Sequence, residues 1–113
     1  GLPYLAYLLA ESQTAMLMAR QGCCAVRIPL QERFAVHKLI VSQLRTGNPM
    51  KSDKDVHQAC VLIAALAETH PGAIEDAVLA TPRRARKHFK KALKVAEQPL
   101  RNSFPRAWEE LTR

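Results

Sequence analysis

The stretch that decides the fold reads RIPLQERFAVHKLIVSQLR and spans residues 27–45. Its apolar side chains cover more than half of the circumference of a helix, which is typical of a helix buried on most sides. Pro29 ends the strand that precedes it, and the sequence Thr-Gly-Asn-Pro at residues 46–49 ends the helix. We therefore predict a central, buried helix over residues 30–45, around which the rest of the chain packs.

A second helix is predicted to begin at Ser52 or Asp53, because either side chain can accept a hydrogen bond from the first free N–H groups of a helix. Apolar residues then recur every three or four positions over residues 56–67. The sequence His-Pro-Gly at residues 70–72 ends this helix. The pattern gives the second helix one continuous apolar face.

Three further helices are predicted after this point. A short one covers residues 73–79. The next begins at the Thr-Pro step of residues 81–82, a capping residue followed by proline at the first helical position, and Pro99 closes it. It is a basic helix over residues 82–98. A short last helix carries Pro105 in its first turn.

Upstream of the central helix, the chain is predicted to form a short helix over residues 4–9 and then a β-hairpin. Residues 14–19 and 23–28 are two apolar, partly β-branched runs. Arg20-Gln21-Gly22 between them reads as a three-residue turn in which Gly22 takes a positive φ. Because both runs are nearly continuously apolar, both faces of the hairpin are expected to be covered, by a larger sheet or by the following helices.

The predicted fold class is α+β and mostly α, with an N-terminal β-hairpin followed by a bundle of four to five helices. We expect two units. Residues 1–29 hold the short helix and the hairpin at the edge of a sheet, and residues 30–113 form a helical domain. The doubly apolar hairpin also allows an interaction or oligomerisation module that forms a homodimer through the hairpin.

The composition is that of a soluble globular protein rather than of a disordered one. The chain has 113 residues, 48% of them hydrophobic and 24% charged. Its longest apolar runs fall far short of the roughly 20 residues that a membrane helix needs, so we expect no membrane partner. Three cysteines form neither a disulfide framework nor a metal-ligand spacing, which indicates a reducing compartment and a cytoplasmic protein.

Positive charge is concentrated in one segment. The chain carries 17 Lys and Arg against 10 Asp and Glu, a net charge of +7. Like charges at i, i+4 cost about 0.2–0.5 kcal/mol each, so this segment is expected to bind an anion. Nucleic-acid phosphate is favoured over a solvated face, an anionic membrane surface or an acidic protein. Seven of the cations fall within twelve residues that contain no acid: Arg83, Arg84, Arg86, Lys87, Lys90, Lys91 and Lys94.

Lys38 lies in the middle of the otherwise apolar central helix. A buried ammonium group must reach solvent, pair with a carboxylate or bind an anion. Arg45 lies seven residues further on, and so on nearly the same face. Asp55, in the first turn of the second helix, can neutralise either cation if the two helices pack antiparallel. The residues alone leave two interpretations open, a buried ion pair that fixes helix register and an anion-binding site.

Two strings within these helices together resemble one protein family. They are Ala-Val-His-Lys-Leu-Ile-Val at residues 35–41, after a strand that ends in proline, and Lys-Asp-Val-His-Gln-Ala at residues 54–59. The combination resembles the C-terminal part of a nucleotidyltransferase-fold family. Abortive-infection-type nucleotidyltransferases carry a looser version of it. The resemblance covers about residues 1–80 and is strongest across residues 27–67.

What the resemblance implies is limited to matched positions. Lys38 matches the family's lysine that lines the nucleoside-triphosphate pocket. Asp55 matches an aspartate that faces this pocket and orients the lysine, and Arg45 and Lys54 are flanking basic positions. The hairpin would then supply the last strands of the nucleotidyltransferase sheet, and the implied partners are a nucleotide and RNA.

Half of the family's machinery is missing from the sequence. Such an enzyme needs a Gly-Ser loop and an Asp-x-Asp pair on a strand to hold two Mg²⁺ ions for phosphoryl transfer. The chain contains no Gly-Ser step, and Asp53-Lys54-Asp55 sits at a helix start. We therefore expect no catalytic residue, metal ligand or cofactor in this chain itself. An upstream nucleotidyltransferase half is expected to bring Mg²⁺ and a nucleoside triphosphate.

The remaining chemistry-bearing residues are predicted to be structural. His37 is expected to be a packing or register residue, Cys60 to be inert packing on an apolar helix face, and Trp108 to anchor the tail. The other histidines show no metal-ligand pattern, and no nucleophile with a positioned base can be identified. A non-enzymatic nucleic-acid-binding module stays open as the alternative function.

Overall fold

The computed structural model describes residues 3–45 and 47–113, and it confirms the predicted fold class, a mostly helical chain with an N-terminal antiparallel hairpin. The predictions for residues 1, 2 and 46 lie outside the described residues. Of the described helices, none is both long enough and apolar enough to cross a bilayer. In chain order the elements are α1 (Leu5–Leu9), β1 (Ser12–Ala19), β2 (Gly22–Pro29), α2 (Gln31–Ser42), α3 (Pro49–Thr69), α4 (Ala73–Leu79), a 3₁₀ turn (Arg83–Ala85), α5 (Arg86–Arg101) and α6 (Pro105–Thr112).

Helix α2 is the central helix, as predicted. Val36, Leu39 and Ile40 are fully buried in the core that α2 forms with α3, α4 and α5. Full burial of a side chain of this size contributes about 1.5–3 kcal/mol, so this helix anchors the others. The division into two units at residue 29 stays a prediction.

The turn between α2 and α3 differs from the prediction at both ends. Helix α2 ends at Ser42, because the next two N–H groups bond carbonyls three residues back and tighten the chain. Helix α3 begins at Pro49, earlier than predicted, because the side chain of Asn48 accepts a hydrogen bond from the Lys51 N–H at 3.2 Å. Ser52 does not cap the helix; its hydroxyl donates to the Ser42 carbonyl at 2.7 Å and ties the two helices together.

Helix α5 also departs from the prediction at both ends. The Thr81 hydroxyl does not cap it but donates back to the Val78 carbonyl at 2.6 Å, and a 3₁₀ turn precedes the helix. Pro99 does not close the helix, which continues to Arg101. Proline removes one N–H donor from the last turn, and burial of Leu100, which is 1% exposed, offsets that loss.

The inner face of α5 places two alanines between two larger apolar residues, Phe89 and Leu100. Ala92 and Ala96 have no exposed surface, and Phe89 is also buried. Because alanine adds so little bulk, α5 lies directly against α2 and α3. Helix α6 begins with Pro105 at its first position, as predicted, and half-buried Trp108 packs against the core as the predicted anchor.

Strands β1 and β2 pair antiparallel, from Ser12 opposite Pro29 to Ala19 opposite Gly22. The turn therefore has two residues, 20 and 21, and the predicted three-residue turn is wrong. Gly22 has the predicted positive φ, at 134°, but it is the first residue of β2. The positive φ, which glycine adopts more easily than other residues, thus occurs at the residue where the chain resumes pairing with β1 after the turn.

The outer half of the hairpin is exposed on both faces. Met16, Leu17 and Met18 are 59%, 58% and 81% exposed, and only near the base do Val26 and Ile28 become half-buried. The expectation that this chain's own helices cover the hairpin is therefore wrong for its outer half, because the two strands extend beyond the helices. Coverage by a larger sheet stays a prediction.

Tyr7 of α1 fastens the N-terminal segment to α4. Its side chain is buried, and its hydroxyl donates to the Ala77 carbonyl at 2.7 Å. The Ala77 carbonyl lies in the last turn of α4, where it would ordinarily accept the N–H of the residue four positions later. That N–H belongs to Thr81 and donates to the Val78 carbonyl instead, so the Tyr7 hydroxyl supplies the donor that the Ala77 carbonyl needs. Burial raises the pKa of the Tyr7 phenol, so it stays protonated and keeps its donor.

Replacing Tyr7→Phe should lower the free energy of unfolding by about 1–2 kcal/mol, because the Ala77 carbonyl would lose its partner. Urea unfolding followed by circular dichroism measures the change. Tyr4→Phe is the control, since the Tyr4 hydroxyl makes no hydrogen bond among residues 3–45 and 47–113. Equal losses of stability in the two variants would show that the hydrogen bond from Tyr7 to the Ala77 carbonyl contributes nothing to the free energy of unfolding.

Cysteine labelling tests the packing directly. Cys60 is buried, as predicted, and burial raises the pKa of its thiol, whereas Cys23 and Cys24 are exposed. The reactive species is the thiolate, so at pH 8 we expect two thiols to react quickly with a disulfide reagent and the third only on unfolding in urea. A Cys60→Ala variant should keep both fast reactions; three equal rates would contradict the packing of α3.

Candidate functional site

Asp55 joins the two cations that the sequence places near it. Its carboxylate is buried, with the residue 6% exposed. Oδ1 accepts a hydrogen bond from Lys38 Nζ at 3.2 Å, and Oδ2 accepts one from Arg45 Nε at 2.5 Å. The predicted pairing is confirmed, and it includes both cations rather than one. Their role in binding a nucleotide stays a prediction.

The antiparallel packing of α2 and α3 creates this arrangement. Ser42 meets Ser52 near the turn, and Lys38, one helical turn back along α2, meets Asp55 almost one turn forward along α3. Partners that recede from a common turn in opposite directions show that the two helices run antiparallel. A carboxylate in the first turn of α3 therefore falls opposite the middle of α2.

A small cavity opens beside the ion pairs. It has a volume of about 110 Å³ and is lined by all three charged residues, together with Leu8, Phe34, His37 and Val41. The Lys38 ammonium lies 5.4 Å from the centre of the Phe34 ring, a cation–π distance. Pockets for whole small molecules hold about 300–1,000 Å³. This cavity can therefore hold a group such as one phosphate but not an entire nucleotide.

The face of α2 that carries Arg33 and His37 holds the N-terminal segment. Arg33 donates to the Tyr7 carbonyl at 3.0 Å, with its guanidinium 5.1 Å from the centre of the Tyr7 ring. Buried His37 donates from Nε2 to the Pro3 carbonyl at 2.8 Å, which confirms it as a packing and register residue. Sequence reasoning missed Arg33, although its i, i+4 spacing to His37 put both on one face.

Lys54 does not join the site. It is exposed on α3 and does not line the cavity, although it is the direct neighbour of Asp55. Successive helical residues point about 100° apart, so a residue next to a buried carboxylate turns away from it. The structure thus brings together three of the four predicted phosphate-binding residues.

The predicted nucleic-acid-binding residues form a second positive surface, here called the basic stripe. Within residues 3–45 and 47–113, none of the seven pairs with a carboxylate. Partial burial and the neighbouring ammonium groups of Lys87 and Lys91 lower the pKa of His88. All seven side chains are exposed along the 3₁₀ turn and α5: Arg83, Arg84, Arg86, Lys87, Lys90, Lys91 and Lys94.

Other candidates for chemistry are scattered. Across the described ranges, no three side chains of His, Cys, Asp or Glu lie close enough to share a metal ion. Arg113 also joins two carboxylates, those of Glu75 and Glu109, but these three side chains are more exposed than the buried carboxylate of Asp55, which joins its two cations.

Replacing Asp55→Asn should lower the free energy of unfolding by about 2 kcal/mol. Removing one partner of a buried ion pair costs about 3–5 kcal/mol, and the partial exposure of Lys38 and Arg45, at 23% and 37% of their side chains, reduces that cost. Urea unfolding measures the change. Asp53→Asn, at an exposed position of the same helix, is the matched control, and equal effects of the two variants would contradict the assigned role of Asp55.

Comparison with known proteins identifies the family. No curated protein and no solved structure matches the chain significantly. A protein-family model described as nucleotidyltransferase matches residues 1–82. The match includes the hairpin, the Asp55 cluster and α4, and it ends immediately before the basic stripe. Since it spans more than half of the 113 residues, the chain belongs to this nucleotidyltransferase family.

Proposed function

We propose that this chain is the C-terminal helical portion of a nucleotidyltransferase and forms one wall of its nucleotide-binding cleft. The observation that carries the proposal is the shared carboxylate. Lys38 and Arg45 both bond Asp55, so two positive charges are held against one negative charge beside a cavity. The surplus positive charge favours an anionic ligand. In a nucleotidyltransferase, the triphosphate of the nucleotide supplies such an anion.

In this proposal Lys38 contacts a phosphate oxygen and Asp55 is a positioning residue. One N–H of the Lys38 ammonium donates to Asp55, and an ammonium group has two more to offer. Arg45 is held through Nε, so its terminal amino groups can meet a second phosphate oxygen. Because Asp55 fixes both cations in advance, less side-chain entropy is lost when the ligand binds.

The acidic residues of α3 do not fit the Mg²⁺ pair that phosphoryl transfer needs. Both oxygens of Asp55 already accept hydrogen bonds from cations. Asp53 lies two residues away on the same helix, about 200° around its axis. We therefore assign no metal and no transfer step to this chain. In the proposal, the upstream half supplies the metal-binding carboxylates, and this chain alone has no transferase activity.

The exposed hairpin supports an upstream half. Within the described chain, neither edge of the two-stranded sheet has a neighbouring strand, and Met16 and Met18 leave apolar surface in solvent. Unpaired edges and apolar patches are what further strands of a sheet would cover. A homodimer through the hairpin is the alternative that covers the same surface. Within the family we propose the abortive-infection type, because a Lys-Leu helix is followed by a Lys-Asp helix.

Nuclear magnetic resonance can test the proposed nucleotide contact on the chain itself. The ¹⁵N-labelled protein is titrated with the magnesium complexes of ATP, GTP, CTP and UTP. We expect the shift changes to concentrate on α2, around Phe34 and Lys38, and on Arg45. A Lys38→Gln variant should bind about tenfold more weakly, because a charge-assisted hydrogen bond contributes about 1.5–3 kcal/mol.

Lys54→Gln is the matched control, because it removes the same charge from an exposed neighbour of Asp55. It should leave the affinity unchanged within about twofold, since one exposed charge contributes little in salt. Equal losses of nucleotide affinity in the Lys38→Gln and Lys54→Gln variants would show that the nucleotide is attracted by overall positive charge and makes no specific contact with Lys38. Shift changes that avoid α2 would overturn the proposed site.

A further inference from the structure

A second cavity lies against the basic stripe, between α4, α5 and α6. Its volume is about 310 Å³, and it shares no lining residue with the cavity at Asp55. Arg86 and Lys90, two members of the basic stripe, help to line it. Four apolar side chains also line it: Leu79, Phe89, Leu93 and Leu111. An apolar hollow and unpaired cations therefore meet on one surface.

The cations of the basic stripe follow one another along the 3₁₀ turn and the N-terminal part of α5, residues 86–94. Arg86, Lys90 and Lys94 follow one another at i, i+4, which places them about 6 Å apart along one side of α5. Such a row repels itself and finds no carboxylate within the described residues. A ligand with regularly repeated negative charges relieves this repulsion, whereas a single anion would not.

The cavity is suited to a flat apolar group. Leu79 is 66% exposed, so one wall is accessible, and Phe89, which is buried, also lines the cavity. Arg113 also lines the cavity, but its guanidinium is taken by Glu75 and Glu109, at 3.2 Å and 3.0 Å. The free positive charge at this cavity therefore comes from the basic stripe. A volume near the lower end for small-molecule pockets admits one ring system, and it excludes a double helix.

We propose that this surface binds a single-stranded polynucleotide, with its phosphates along the basic stripe and one unpaired base in the cavity between α4, α5 and α6. Proteins that bind single strands combine a positive groove for the backbone with apolar or aromatic side chains that pack on bases. Both parts are present here side by side. The inference goes beyond the nucleotide contact proposed at Lys38 and does not depend on it, and the stripe lies outside the family match.

Charge complementarity decides between this ligand and the other polyanions. An anionic membrane would need a continuous exposed apolar face on the same helix, whereas Phe89, Ala92, Ala96 and Leu100 of α5 are buried and Val95, at 48%, is its one large apolar side chain that is exposed. An acidic peptide satisfies the charges but carries no repeated flat ring for the cavity. A duplex presents phosphates but keeps its bases stacked inside. A single-stranded polynucleotide offers phosphates to the basic stripe and an unpaired base to the cavity.

Fluorescence anisotropy with labelled oligomers tests the proposal. The probes are a twelve-nucleotide single-stranded RNA, the DNA of the same sequence, the RNA duplex, and an abasic sugar–phosphate oligomer of the same length. We expect the intact single strand to bind about tenfold more tightly than the abasic one, because packing one base contributes about 1–3 kcal/mol. The RNA and DNA arms identify which polynucleotide the surface prefers.

Two variants separate the two halves of the surface. Lys87→Glu combined with Lys91→Glu should weaken every probe at least tenfold and flatten the dependence of affinity on salt. Leu79→Asn, which adds a polar group and no charge, should weaken the intact strand about tenfold and leave the abasic oligomer unchanged. Val61→Asn is the matched control for it, since Val61 is a comparably exposed apolar residue, at 59%, on α3. Circular dichroism verifies that each variant folds.

Two outcomes would overturn the inference. Equal affinities for intact and abasic strands, unchanged by Leu79→Asn, would mean that the cavity takes no base. Tighter binding of the duplex or of an acidic peptide than of the single strand would assign the basic stripe to a different polyanion. None of these variants changes Lys38. A negative result in the anisotropy experiment therefore does not affect the proposed nucleotide contact, and a negative result in the nucleotide titration does not affect the proposed polynucleotide surface.

Discussion

The buried carboxylate of Asp55 is the constraint on which the arrangement of the helices depends. A carboxylate in the protein interior costs several kcal/mol unless charges and hydrogen bonds compensate it. Lys38 and Arg45 provide that compensation only when α2 and α3 are antiparallel and in one register. The same requirement leaves one positive charge in excess beside the cavity. Stability of the helix pair and the affinity for an anion that we propose would thus come from a single arrangement.

Helix α2 organises the chain on two of its sides. One side pairs Lys38 with α3, and another holds the N-terminal segment through Arg33 and His37. Through that segment Tyr7 reaches α4 and satisfies a carbonyl at its end. A short stretch of α2 therefore positions elements that are far apart in the sequence, which explains why its residues read as a motif.

The sequence predicts α2 and its ion pairs because periodicity and charge are local signals. The predicted start of α3 and the predicted end of α5 are wrong, because a single side chain decides each of them. Asn48 caps α3 earlier than predicted, and the burial of Leu100 lets α5 continue beyond Pro99. The contact of Tyr7 with Ala77 joins residues 70 positions apart, and no local pattern encodes it. Lys54 is a flanking basic position of the family resemblance, but successive helical residues point about 100° apart, so it lies outside the cavity that Asp55 lines.

Positive charge occupies two separate surfaces that differ in how it is balanced. At Asp55 a carboxylate holds the cations in fixed positions, which suits a ligand that must be placed accurately. Along the basic stripe no such carboxylate appears in the described chain, so its field extends into solvent and can attract a polyanion from a distance. Because α5 packs through Ala92 and Ala96 on the core that contains α2, the two surfaces belong to one packed group of helices. In the two proposals, a polynucleotide and a nucleotide would therefore bind to the same group of packed helices, as a transferase that joins them requires.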